Sequence, residues 1–196
     1  MVTGYLGASP TEHSLRTQQV CGACTFCCKV MAIHELRKPG GQWCEHRRSE
    51  CGCSIYGEHP PSCKAFACQW LLEPGMPQRF RPDRSKVVLA TDENGGRLVA
   101  HCDPSNHLAW RREPIFSLLK QQARATWGSE MHVVAKAGQR LWVITPVEEI
   151  DLGEVHERSP VQILQFRDGS ATVTVLPPVP EGADIREHVN ALKSPG

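Results

Sequence analysis

The chain lacks an excess of charge of either sign: 22 Lys and Arg stand against 21 Asp and Glu in 196 residues. Residues 1–82 carry 9 basic and 6 acidic side chains and the remainder 13 and 15, so neither half has the basic surplus of a nucleic-acid-binding protein. Long apolar runs are also missing. No window approaches the ~18 consecutive apolar residues of a membrane span. The opening MVTGYLGASPTEH has no basic n-region and no apolar h-region, so no secretory signal is expected and the chain reads as cytoplasmic. There is no G-x-G-x-x-G fingerprint, no P-loop and no convincing Ser/His/Asp arrangement. No internal repeat is visible. The length suits one domain or two small ones and is enough to bury a core without covalent staples.

What the chain does have is a concentration of cysteine. Nine of its ten cysteines fall between Cys21 and Cys68, and only Cys102 stands apart. Core filling would scatter them; clustering points to disulfides, metal or redox chemistry. In a cytoplasmic setting thiols stay reduced, which favours metal. The spacing is Cys21-x2-Cys24-x2-Cys27-Cys28, followed by Cys44, Cys51, Cys53, Cys63 and Cys68. A C-x2-C turn lets two sulfurs reach one ion. The Cys27–Cys28 doublet adds a constraint, because adjacent side chains diverge by about 100° in a helix and point to opposite faces of a strand. The pair therefore serves two metals, or opposite sides of one polynuclear cluster, or supplies one ligand and one packing residue.

Other residue types nearby have a bland reading beside a functional one. Lys29, Arg37, Lys38, Arg47, Arg48 and Lys64 offset thiolate charge or are simply solvated. Phe26, Trp43, Tyr56, Phe66 and Trp70 form a dry shell, which is also the core of a small domain. His34, His46 and His59 are nitrogen candidates, His46 foremost because it lies two residues past Cys44. Cys102 ends an apolar strand pattern and reads as a buried small hydrophobe.

The expected fold class is α+β: a small irregular cysteine-rich metal-binding region followed by an antiparallel-sheet domain with one main helix. The divisions are an N-terminal segment over 1–19, the cysteine-rich region over 20–76, the α+β domain over 84–176 and a tail over 177–196. Hairpins are predicted from 86–91 with 97–102, from 131–136 with 140–145, and from 161–166 with 171–176, each joined by turn residues. A helix is expected over 113–127, with Phe116, Leu119, Ala123 and Trp127 at helical spacing and Pro114 at its start. Ile185, Val189 and Leu192 suggest a short terminal helix.

The segments CGACTFCC, GGQWCEH and GCSIYGEHPPSCKAFACQW resemble the bacterial CxxCxxCC family, cysteine cluster proteins described as a zinc- or iron-chelating domain. The resemblance covers about residues 20–72. It implies metal binding by Cys21, Cys24, Cys27, Cys28, Cys44, Cys53, Cys63 and Cys68, with Ile55, Tyr56, Pro60, Lys64 and Phe66 also matching. His59 departs from the pattern, which usually has Arg there, and Cys51 is an extra thiol outside the set.

Three functions compete. An iron–sulfur protein is preferred, because of the doublet and because no histidine is needed to complete the ligands. A zinc-binding structural or interaction module would make two closed four-cysteine sites. A metal-dependent protein-modifying enzyme is the third, since flagellin lysine methylases look like they contain a related cysteine-rich region. A Cys/His nucleophile can be drawn at His101, Cys102, Asp103 and His107, but an Asp-Pro turn after a strand is the simpler account. The expected partner is an unidentified protein or small molecule, with no nucleic acid and no membrane.

Overall fold

The computed structural model describes residues 19–49, 52–92, 95–185 and 187. Cys51, Val189 and Leu192 therefore lie outside the described residues, as does nearly all of the N-terminal segment. The fold class is α+β.

The cysteine-rich region is a chain of short pieces. A single helical turn α1 (Cys27–Val30) is followed by a two-stranded hairpin, β1 (Arg47–Arg48) and β2 (Gly52–Cys53). Two further short helices follow, α2 (Pro61–Ala65) and α3 (Gln69–Leu72). Proline at the first position of α2 suits a helix start, where the missing N–H has no intrahelical partner. The turn α4 (Pro82–Ser85) then leads into a larger sheet.

That sheet contains β3 (Val87–Thr91), β4 (Arg97–Cys102), β5 (His132–Ala137), β6 (Arg140–Ile144) and β7 (Glu149–Glu154), in that spatial order. The helix α5 (Ile115–Thr126) lies between β4 and β5 in the chain. The sheet is mixed rather than purely antiparallel, as the hairpin pattern suggested. β4 and β5 run parallel, with Leu98 opposite Val133 and Ala100 opposite Ala135. The cause is the connection: a segment containing a helix returns the chain to the same end of the sheet, which a tight turn cannot do. The hairpin of β8 (Val161–Gln165) and β9 (Ala171–Val175) forms its own two-stranded sheet.

Alternation along the strands divides the core in two. Val87, Leu89, Leu98, Ala100, Cys102, Trp142 and Ile144 face the helix side and pack with Trp110, Ile115, Leu119 and Ala123. The opposite face has two covers. Ile163 and Val173 of the hairpin pack on Val99, Val134 and Val143. Farther along, Val88 packs with Cys24, Phe26, Val30, Cys68 and Trp70. The cysteine-rich region is thus seated on β3, at one edge of the sheet. The Lys29–Asp103 ion pair and the packing of Pro104 beside Gly41 extend the seam. No helix among the described residues is long and apolar enough to cross a membrane.

Candidate thiol centre

Local turns bring the cysteines together. The Cys24 N–H donates to the Cys21 carbonyl at 3.0 Å, and Gly22 takes φ +52° inside this turn. Such a left-handed position suits glycine. The chain then enters α1, where Cys28 N–H donates to Thr25 O at 3.0 Å and Met31 N–H to Cys27 O at 3.0 Å. Gly52, at φ +86°, lies so close to this loop that a Cβ on it would sit 2.9 Å from the Gly22 carbonyl oxygen. That contact seats β2, and with it Cys53, against the C-x2-C turn. Cys44 is tied to α1 by its own N–H, which donates to Cys28 O at 3.1 Å. α2 is fastened by Glu35, whose carboxylate accepts from Ser62 N–H at 3.0 Å and Ser62 Oγ at 2.8 Å. Cys63 follows directly. Cys68 occupies the cap position of α3, and its carbonyl accepts from Leu71 N–H at 2.9 Å.

The thiols influence one another across these segments: Cys21 acts on Cys24 and Cys68, and Cys28 acts on both Cys21 and Cys63. Cys21 Sγ donates to the Cys24 carbonyl at 3.2 Å, and the thiol of Cys27 is influenced by those of Cys21 and Cys28. These two neighbours, and then burial, hold Cys27 above the ordinary thiol range, while the Cys27 thiol lowers Cys21. Cys28 is lowered to about 7, first by the Cys27 thiol and then, against burial, by the charges of Lys38 and Arg47. Burial pushes Cys68 up to about 11 and raises Cys24. Backbone N–H groups aimed at these sulfurs oppose that rise, from Trp70 and Leu71 at Cys68 and from Phe26 and Asp83 at Cys24. Among the described residues, no three Cys, His, Asp or Glu side chains converge closely enough to form a ready-made metal site.

Cations lie beside the cysteine-bearing segments. Arg81 donates to the Cys21 carbonyl at 3.3 Å, pairs with Asp83 at 3.2 Å and lies 5.5 Å from the centre of the Trp70 ring. Arg47 donates to Thr25 Oγ1 at 3.3 Å and lies 4.3 Å from the centre of the Trp43 ring. Lys38 is buried, and its ammonium donates to the carbonyls of Lys29, at 3.0 Å, and of Met31. Of the aromatics expected in the dry shell, Phe26 and Trp70 are buried and Phe66 packs against them. Trp43 and Tyr56 are exposed instead. Tyr56 stacks on His59, whose Nδ1 accepts from Gly57 N–H at 2.9 Å. His46 faces Glu45 at 3.5 Å, and His34 lies exposed on a short turn.

The structure does not assemble the second constellation drawn from the sequence. Cys102 is 2 % exposed in the helix-side core, with burial pushing its thiol up to about 12. His101 is on the other face of the strand, and Asp103 is engaged by Lys29 and by Ser105. His107 stacks on Trp142. Sequence reasoning missed the close approach of Gly52 to Gly22 and the burial of Lys38. Neither has a local signal, because each depends on which distant segment packs against it. No family model, curated protein or solved structure matches the chain.

Proposed function

We propose that residues 20–76 form a cysteine-ligated metal centre, an iron–sulfur cluster held by the set Cys21, Cys24, Cys27, Cys28, Cys44, Cys53, Cys63 and Cys68. The observation that supports this reading is the seating of Cys44 on α1, through its N–H to Cys28 O, and of β2 with Cys53 against the Cys21–Cys24 turn, which brings cysteine-bearing segments together without a histidine. The chemistry of the donors fits such a centre. Thiolates are the ligands of iron–sulfur clusters, and N–H groups directed at sulfur together with a dry apolar wall tune them. Cys24 and Cys68 have both features. A bound cluster would supply one-electron transfer or a rigid cross-link. The chain's own residues hold the sulfurs through the Gly22 turn, the Glu35–Ser62 clamp and the α3 cap, and Phe26 and Trp70 keep water away.

Zinc is the second reading, favoured by the adjacency of Cys27 and Cys28 on α1, whose side chains diverge by about 100° and so suit two separate four-cysteine sites. In that case the sheet domain would carry the function by binding a protein partner or small molecule. Purification without oxygen, followed by visible absorption and counts of iron, sulfide and zinc, separates the readings. A brown protein with iron and labile sulfide supports the cluster. A colourless one with about two zinc ions per chain supports the alternative. A protein that holds neither metal under reducing conditions overturns both. Single Cys→Ser replacements then assign ligands: Cys27→Ser is expected to lower the metal count, and an intact count in both Cys27→Ser and Cys28→Ser removes the doublet from the ligand set.

A further inference from the structure

The tight turn from β5 to β6 borders a cleft that the thiol centre does not use. Gly138 takes φ +62° in this turn, and a Cβ on it would sit 3.3 Å from Pro104 Cγ. Pro104, in the loop that leaves β4, is backed by Gly41 as well, where a Cβ would come within 2.8 Å. Beside these contacts the ends of β6 and β7 leave an open cleft of about 290 Å³, whose lining includes Pro104, His107, Ala137, Gly138, Arg140 and Glu154. Its charges do not cancel. Arg140 stands opposite Glu154 in the β6–β7 register. It gives its hydrogen bonds to Asp151 instead, at 2.7 Å and 3.4 Å, and its guanidinium lies 5.3 Å from the centre of the Trp142 ring. Glu154 is exposed and forms no ion pair among the described residues. One guanidinium thus serves two carboxylates, and a net negative charge remains at the rim. His107 lies parallel to Trp142, with ring centres 6.1 Å apart. The cleft therefore combines an unpaired carboxylate with walls made by a proline ring, a methyl group and an imidazole.

We propose that this cleft binds an alkylguanidinium or alkylammonium group, with its cationic head on Glu154 and its stem on Pro104, Ala137 and His107. The inference stands apart from the metal-centre reading and needs no bound ion. Its chemistry follows from what the lining leaves unpaired. A carboxylate accepts two parallel hydrogen bonds from a guanidinium, or a charge-assisted bond from an ammonium. An aliphatic stem lies well along apolar walls while its charged head stays in water. An anion is the poorer match, because Asp151 already occupies Arg140 and Glu154 repels a second negative charge. The same cationic group is carried by a free amine or basic amino acid and by a Lys or Arg side chain of another protein. Asp151 contributes from outside the cleft, by holding Arg140 on itself and away from Glu154.

The test follows backbone amide signals of the isotope-labelled full chain by NMR during titration with n-butylguanidinium, n-butylammonium, butyrate and the capped peptide Gly-Arg-Gly. Both small cations are expected to shift the amides of Gly138, Arg140 and Glu154 and to leave those of β3 and β8 in place, whereas butyrate shifts none of them. Glu154→Gln should weaken the cations by about tenfold. Asp151→Asn lines no wall of the cleft, but it frees Arg140 to pair with Glu154 and should weaken them by about threefold. Glu157→Gln, a change at another exposed carboxylate, should leave binding as it is. Tighter binding of the peptide than of n-butylguanidinium assigns the group to a protein partner, and the reverse assigns it to a free amine or amino acid; either supports the proposal. No shift at the turn with either cation overturns it. So do butyrate shifts at the same amides, full affinity in Glu154→Gln, or tighter binding in Asp151→Asn. Equal weakening in Glu157→Gln and Glu154→Gln means diffuse attraction to an acidic surface, and overturns it too.

Discussion

At the scale of single residues, burial decides which groups are active and which are inert. Cys102 and Cys28 are both cysteines, yet one is pushed up to about 12 by its apolar surroundings and the other lowered to about 7 beside another thiol and two cations. Spacing singled out the thiols as a candidate set, because four cysteines in eight positions have few other uses. It did not show which segments meet, which depends on Gly52 lying against Gly22 and on Glu35 reaching Ser62. His101 gives a titration that can be measured. Burial, and then the charge of Lys136, depress its imidazole from 6.5 to about 4. The folded chain holds it neutral while the unfolded chain takes up a proton below 6.5, so stability is full above that pH and falls as pH drops toward 4. The loss amounts to at most about 3 kcal/mol. Denaturant unfolding of wild type and His101→Gln between pH 7 and pH 4 should give a shallower decline for the variant. Parallel declines would remove His101 as the cause.

At the scale of elements, the hairpins were legible where polar and apolar residues alternate between clear turns, as in β3–β4, β5–β6 and β8–β9. β7 was not. Its sequence EIDLGE contains three acidic residues, its pairing with β6 slips between Arg140 and Trp142, and Gly153 takes φ +65°. Such an irregular edge strand hides the period-2 signal. The parallel β4–β5 pair was missed for a different reason: hairpin patterns specify each strand's neighbour through a turn, whereas this pairing is made across the α5 connection. One ion pair, beside the packing of Pro104 on Gly41, joins the end of β4 to the cysteine region. Burial alone would raise the Asp103 carboxyl, but Lys29 and the Ser105 donors hold it below its ordinary range. The pair is largely shielded, with side-chain exposures of 21% for Lys29 and 10% for Asp103. Removing one partner strands the other, at a cost of about 2–4 kcal/mol. Asp103→Asn should therefore lower the unfolding midpoint more than the double replacement Asp103→Asn with Lys29→Met. Strict additivity in that double-mutant cycle would show that the two side chains do not couple.

At the scale of the molecule, one sheet serves two unequal layers of packing. The buried residues of the helix-side core, Trp110, Ile115, Leu119, Trp142 and Ile144 among them, come from the second part of the chain, with Met76 and Phe80 packed at the margin. The cysteine region has no comparable interior. Its apolar core consists of Cys24, Phe26, Val30, Cys68 and Trp70 resting on Val88, and its secondary structure comes in pieces of two to five residues. Segments that short do not hold their shape by backbone hydrogen bonds alone. A bound metal would add the missing cross-links, and binding energy at such a site is folding energy. The contrast leads to an asymmetric response to metal removal. After chelation under reducing conditions, hydrogen exchange should speed up at the amides of Cys24, Lys29–Met31 and Cys44, whereas β4, β5 and β6 keep their protection. The edge strand β3 should respond partially, because Val88 loses its cover while Val87 and Leu89 keep theirs. A uniform loss along the whole chain would mean that the seam through Asp103 and Val88 makes one cooperative unit of both parts. Unchanged protection in the cysteine region would mean that its thiols, packed as they are, need no metal to hold their places.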